Sequence, residues 1–370
     1  VLFRSWKQPW AEALVPKINS ARLDNSATLA VLLGLPRSGW VWASLPSFGQ
    51  EFEHLYWKSV PSLWGVDDRE ELEYAMRKLI DAGRARFALS MMRVSAQDPI
   101  GIELVINILN EVANQSAENN DDLDAGMLMY HVCEAFKRMD KDNVDQAVVA
   151  ALEWRFLQVL EHSTRPPTAI TRELSASPGL FVDMLKLISP IAGEDPVEQS
   201  DQVRETARAL GGQAYHLLSL WDQIPGTLED GTVDLATLER WIVDARTQAQ
   251  AIGKLDFADE RIGTLLSASS IGNDGNWPHE AVRDVLDSCY SKAMLQGFSV
   301  GTYNRRGVTS RSPRDGGEQE RVLVEKYRSW SIALSAEYPY TARALEELAT
   351  GYDVEARRHD DDAATVDWED

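Results

Sequence analysis

The chain has 370 residues, 44% hydrophobic and 26% charged, and its 37 Lys and Arg against 58 Asp and Glu give a formal charge of −21. That length suits two or three compact domains or one elongated repeat array, and the mean hydropathy of −0.30 is that of a folded chain rather than a disordered one. A surplus of carboxylates repels phosphate backbones at long range, which disfavours general nucleic-acid binding, and acidic surface is also a common route to solubility.

Helical periodicity runs from end to end. Leu2, Phe3, Trp6 and Trp10 already share the spacing of one helix face, and the chain starts at Val1 without Met, so the sequence reads as a piece of a larger protein. The clearest unit begins at Asp67-Asp68. Leu72, Ala75, Met76, Leu79 and Ile80 make one apolar stripe, acids crowd the first turn where the helix dipole favours them, and Gly83 supplies a stop. A second helix follows within a few residues, with Ala75, Ala82, Ala85 and Ala88 where two helices must approach, which predicts an α-hairpin. Asp98-Pro99 is read as opening a helix over 100–114, the Asn/Asp run 118–122 one over 123–139, and Asp142 or Asn143 as the cap of 144–161. Ser177-Pro178 is an N-cap with Pro at the first helical position, 199–221 is one long amphipathic helix, and Asp234 or a neighbour starts another to Ala251. Asp230-Gly231-Thr232 and Asn273-Asp274-Gly275-Asn276 are turns, and Trp277-Pro278 begins a helix to about Met294. Helices over 316–335 and 338–358 and a frayed acidic tail from His359 close the chain.

This pattern predicts an all-α fold of helical hairpins stacked as a solenoid-like array of TPR or HEAT type. Three regions are expected: 1–165, 166–275 and 276–370, with boundaries suggested by Pro166-Pro167 and the 189–200 loop. No run of about 18 apolar residues exists, which argues against a membrane span. Cys133 and Cys289 lie in apolar helical contexts without ligand spacing, so they read as reduced core thiols in a cytoplasmic protein.

Catalytic signatures are missing. The histidines 54, 131, 162, 216, 279 and 359 form no HExxH or His/Cys pair, and there is no GxSxG elbow, phosphate-binding GxxxxGK[ST] loop or GxGxxG after a strand. Asp140-Lys141-Asp142-Asn143-Val144-Asp145 imitates the start of a calcium loop, but Val144 occupies the fifth position and the sixth lacks Gly, so it reads as a helix cap. No catalytic residue, metal or cofactor is expected.

One segment stands apart. From Gly297 to Glu318 the chain reads as an Arg/Gly-rich loop, and residues 301–330 hold seven basic residues against four acids, a local +3 within a chain of −21. Arg305, Arg306, Arg311 and Arg314, with Gly316 and Gly317 at a helix start, could grip an anion through guanidinium forks and backbone N–H groups. The same arginines could equally anchor the loop to acidic helices of their own fold, and Tyr303, Tyr327 and Trp330 suit stacking or core packing alike.

Three strings, YWKSVPSLWGVDDREELEYAMRKLIDAGRARFAL, ELSASPGLFVDMLKLI and GFSVGTYNRRGVTSRSPRDGGEQERVLVEKYRSWSIAL, resemble the C-terminal helical region of very large bacterial proteins. Their layout is similar to multidomain antiviral-defence proteins in which an effector and an NTPase or signalling module precede a tetratricopeptide-type sensor array. The resemblance implies a non-enzymatic protein-binding, sensor or scaffold module, with a protein partner that could be the chain itself, another domain of a parent protein or a phage protein. The other reading is a nucleotide- or nucleic-acid-associated domain that uses 301–330.

Overall fold

The structure, a computed structural model, describes residues 13–14, 16–18, 23–63, 66, 68–92, 99–115, 124–189, 201–312 and 315–366. Among these residues the regular elements are all helical, and the β contact is an isolated bridge between Thr227 and Val233. None of the described helices is long and apolar enough to cross a membrane. The predicted helix face at Leu2 to Trp10 and the openings at Asp98 and 118–122 lie outside the described residues. The chain divides into two compact units, Val1–Pro167 and Thr168–Asp370, and the second continues past residue 275 without a division.

The first unit holds α1 (Asn25–Gly34), α2 (Gly39–Ser44), a short 3-10 turn (Leu45–Phe48), α3 (Gln50–Ser59), α4 (Arg69–Asp81), α5 (Ala85–Ser90), α6 (Ile102–Asn114), α7 (Ala125–Lys141), α8 (Gln146–Arg155) and α9 (Leu157–Glu161). The hairpin expected after Asp67 is present. Asp68 Oδ1 accepts from the Glu71 N–H at 2.9 Å, Leu72, Ala75, Met76 and Leu79 are buried, and Gly83 takes φ 77° to reverse the chain into α5. Trp42, Tyr56 and Trp57 are buried where α2 and α3 meet, with the Trp42 indole N–H donating to the Tyr56 hydroxyl at 3.3 Å, so large rings fill the space between these helices.

The predicted helix over 144–161 is capped by Asp145, whose side chain accepts from the Ala147 N–H, and it breaks at Phe156. Phe156 turns edge-on to Phe136 with ring centroids 6.1 Å apart, while its N–H still donates to the Leu152 carbonyl at 3.0 Å. Asp140 also has a structural role: both its oxygens accept from Arg165, at 2.8 and 2.9 Å, and the same guanidinium bonds the wholly buried Glu153.

The second unit holds α10 (Ala169–Ala176), α11 (Pro178–Ile188), α12 (Asp201–Leu220), α13 (Leu235–Ala251), α14 (Leu255–Leu266), α15 (Glu280–Ser288), α16 (Lys292–Arg305), α17 (Glu318–Leu334) and α18 (Pro339–Val366). Ser177 caps α11 and Asp234 caps α13 through side-chain oxygens 3.3 and 2.9 Å from backbone N–H donors. Phe181, Trp221 and Trp241 form the core between α11, α12 and α13, and both indole N–H groups are satisfied, by Ser175 Oγ and the Leu174 carbonyl. The helix expected from Trp277 to Met294 is two helices, with a break at Cys289-Tyr290-Ser291.

Two other elements depart from expectation. Residues 297–305, read as the start of a loop, form the end of α16. Gly297 and Gly301 sit four apart on the face packed against α14, where a Cβ on Gly297 would overlap the Glu260 carbonyl and one on Gly301 would overlap Ser267 Oγ. Close helix approach overrides the poor helix propensity of glycine. The acidic segment after His359 is likewise helical as far as Val366, because Asp360 receives Arg321 at 2.7 and 3.0 Å and the Gly317 N–H at 2.9 Å.

Candidate functional site

The region carrying the predicted basic residues is built by α16, α17 and α18. Packing carries α17 antiparallel to α18 along most of its length, and the entry to α17 must come very near its partner: a Cβ on Gly317 would overlap the Ala356 carbonyl, and Gly316 takes φ 57°. These two glycines therefore shape the turn into α17.

Glu320, in the first turn of α17, is completely buried and is the hub of the loop. Arg311 bonds both its oxygens, at 3.0 and 2.6 Å, and also reaches the Gly316 carbonyl at 3.3 Å; Arg306 bonds the same carboxylate and lies 3.5 Å from Glu355. Burial pushes the Glu320 carboxyl up, but the two guanidiniums more than offset this and hold it down at about 2. Of the four predicted arginines, the structure thus commits Arg306 and Arg311 to an internal carboxylate. Arg314 lies outside the described residues.

Arg305 is placed differently. Its Nε–H donates to Ser267 Oγ at 3.0 Å, and it makes no ion pair among the described residues. Burial pushes its pKa below the ordinary arginine value, with Asp222 acting in the opposite sense. The guanidinium edges a cleft of about 290 Å³ whose walls are Trp277, Tyr327, Trp330 and Tyr352. Lys326 stands on the same rim, with its ammonium 5.0 Å from the centre of the Trp330 ring and no ion pair among the described residues. Trp277 stacks on Phe298 at 5.1 Å, and Tyr327 lies nearly parallel to Tyr352 at 5.8 Å, so the walls are held rigid from behind. The Tyr352 hydroxyl is buried and has no hydrogen-bond partner among the described residues.

Sequence reasoning selected Arg305, Tyr327 and Trp330 and missed Ser267, Trp277, Lys326 and Tyr352. The i,i+4 spacing of Lys326 and Trp330 on one helix was a local signal for part of this group. Trp277 and Tyr352 come from distant segments and have no local signal.

A second concavity of about 540 Å³ lies between α16 and α18. Tyr290 and Tyr340 pack against each other at its end, centroids 4.3 Å apart and rings tilted by 32°, while remaining 52% and 37% exposed, and Val300 on its wall is 48% exposed. Lys292, Arg343 and Glu347 supply its charged edge. Among the described residues no group of three His, Cys, Asp or Glu side chains is positioned to hold a metal ion. Comparison with protein-family models, with curated proteins and with solved structures finds no match to this chain.

Proposed function

We propose that this chain is a non-enzymatic recognition module whose helices stack as solenoid-like hairpins and whose partner is a protein. The observation that carries the reading is the exposed Tyr290/Tyr340 pair beside the α16–α18 groove. Tyrosine offers a large amphipathic surface at little entropic cost, and aromatic residues and arginine are enriched where proteins bind one another. Here two tyrosines, an exposed valine and an arginine border one groove. The engagement of Arg306 and Arg311 with Glu320 supports the same reading, since it removes two of the cations on which the nucleic-acid reading of the loop relied. The resemblance to defence proteins extends the proposal to a sensor that docks a phage or host protein onto this surface.

The test is a pull-down from bacterial lysate, with and without phage infection and with and without nuclease, comparing the native chain with a Tyr290→Ser, Tyr340→Ser variant of unchanged melting temperature. A protein retained by the native chain despite nuclease and lost by the variant is the expected result. Identical recovery by both chains, or recovery of nuclease-sensitive material alone, overturns the proposal.

A further inference from the structure

His279 is the N-cap of α15, and it caps with its imidazole rather than with an oxygen: the Ala281 N–H donates to Nδ1 at 3.2 Å. A ring nitrogen accepts only while it carries no proton, so the single ring proton of the neutral form is on Nε2. The residue is only 7% exposed and its backbone N–H is tied to Ser269 Oγ at 2.9 Å, which fixes it at the helix start with little access to water. Nε2 is buried and lacks a hydrogen-bond partner among the described residues, and so does the buried Glu280 Oε2, although the two atoms are 3.5 Å apart. A donor and an acceptor thus lie just short of a bond.

The charged groups around the ring come from its own helix, Glu280 and Arg283, and from the preceding turn, Asp274. Glu280 Oε1 accepts from the Asp274 N–H at 3.2 Å and lies 4.0 Å from Arg283 Nη2. Arg283 is engaged by both Asp274 oxygens, at 2.8 and 2.6 Å, and by the Pro278 carbonyl, and Tyr338, from the link between α17 and α18, lies against its guanidinium at 5.4 Å. Burial pushes the Glu280 carboxyl up, but backbone N–H donors and the charges of His279 and Arg283 outweigh it and keep it below its ordinary value. Glu280 is therefore ionised when the imidazole takes up a proton.

We propose that His279 is a proton-operated switch: neutral, it caps α15 through Nδ1; protonated, it gives up the Ala281 N–H and closes on the Glu280 carboxylate through Nε2. A proton added at Nδ1 turns the acceptor into a donor that faces another donor. The new charge is unfavourable at the positive end of the helix dipole and favourable beside a carboxylate, so both effects move the ring the same way. The exchange belongs to the range in which imidazoles titrate, about pH 5 to 8. At its other end α15 presents Asp287, whose oxygens accept from the Tyr340 and Thr341 N–H groups at 2.8 and 3.0 Å, and Tyr290 follows three residues on. The switch thus sits on the helix that ties the tyrosine pair to α18. Its link to the groove rests on the recognition reading; the exchange at His279 does not.

Nuclear magnetic resonance of the full chain tests the switch. At about pH 7.5 the His279 ring should be the Nε2–H tautomer. Between about pH 7.5 and about pH 5.5 the protection factor of the Ala281 amide against hydrogen exchange should fall at least about tenfold, and that of Thr341 should fall with it. His279→Asn, which keeps a side-chain acceptor at the cap but has no titrating ring, should hold its Ala281 protection across the same range. An Nδ1–H tautomer at the higher pH overturns the proposal, as does Ala281 protection that stays constant in the native chain or falls equally in the variant. Constant Thr341 protection beside a falling value at Ala281 overturns the link to the groove, whereas a failed pull-down with the tyrosine variant leaves the exchange at His279 standing.

Discussion

Glu320 is wholly buried with two guanidiniums against its oxygens, and removing its charge would leave Arg306 and Arg311 facing each other across a space from which water is largely excluded. Breaking one partner out of a buried ion pair costs about 3–5 kcal/mol, so Glu320→Gln should lower the melting temperature by on the order of 10 °C for a unit of this size. The pH dependence has a definite sign. Because the folded carboxyl titrates at about 2 rather than at its ordinary 4.5, the folded state binds this proton more weakly, and the stabilisation is complete above the ordinary value. It is lost as pH falls from about 4.5 toward about 2. The gap in melting temperature between the native chain and Glu320→Gln, followed by circular dichroism, should therefore narrow across that window; a constant gap would show that Glu320 acts through packing alone. The arginines separate on the same criterion. Arg311→Ala should lower the urea unfolding midpoint through loss of its charged hydrogen bonds to Glu320, whereas Arg305→Gln should leave that midpoint nearly unchanged.

Helix α12 contains adjacent glycines with opposite surroundings. A Cβ on Gly211 would come 2.7 Å from the Leu187 carbonyl of α11, while one on Gly212 meets nothing within 4 Å. The same substitution should therefore change sign within one residue: Gly212→Ala stabilises by about 0.5–1 kcal/mol through helix propensity, and Gly211→Ala destabilises by about 1–3 kcal/mol through overpacking. Chemical denaturation of the two variants checks this, and equal effects would contradict the α11–α12 packing. The contrast also explains what was legible in the sequence. Caps such as Asp68, Ser177 and Asp234 were readable because each bonds an N–H group three residues along its own chain. The helical fate of 297–305 was not, because the value of Gly297 and Gly301 depends on Glu260 and Ser267 of another helix. Arg306 and Arg311 were visible as a cluster, but their occupation by Glu320 was undecided between anchor and ligand site until the first turn of α17 was placed beside them. The cleft was least legible, since Ser267, Trp277, Lys326 and Tyr352 converge from four segments.

At the scale of the whole molecule the controlling quantity is the charge of −21. Even if every Lys and Arg were matched, 21 carboxylates would have no cation, so mutual repulsion opposes the compact state more than the expanded one. Several ion pairs work in the other direction, but many are exposed helical pairs such as Arg343–Glu347 at 2.9 Å, which water screens strongly. The pairs on Glu320 and Glu153 are buried and poorly screened. Added salt therefore weakens the small favourable surface terms together with a larger unfavourable one. Raising ionic strength from about 0.01 to about 0.15 M shortens the screening length from about 30 to about 8 Å, which removes long-range repulsion between carboxylates on different helices and leaves the buried contacts near 3 Å intact. The melting temperature should accordingly rise with sodium chloride over that range at neutral pH, and the rise should shrink as the medium approaches the pI of about 4.7, where the surplus charge vanishes. Calorimetric scans across a salt series at two pH values measure both effects. A melting temperature that falls with salt at neutral pH would mean that the exposed ion pairs, rather than the acidic surplus, dominate the electrostatics of this fold.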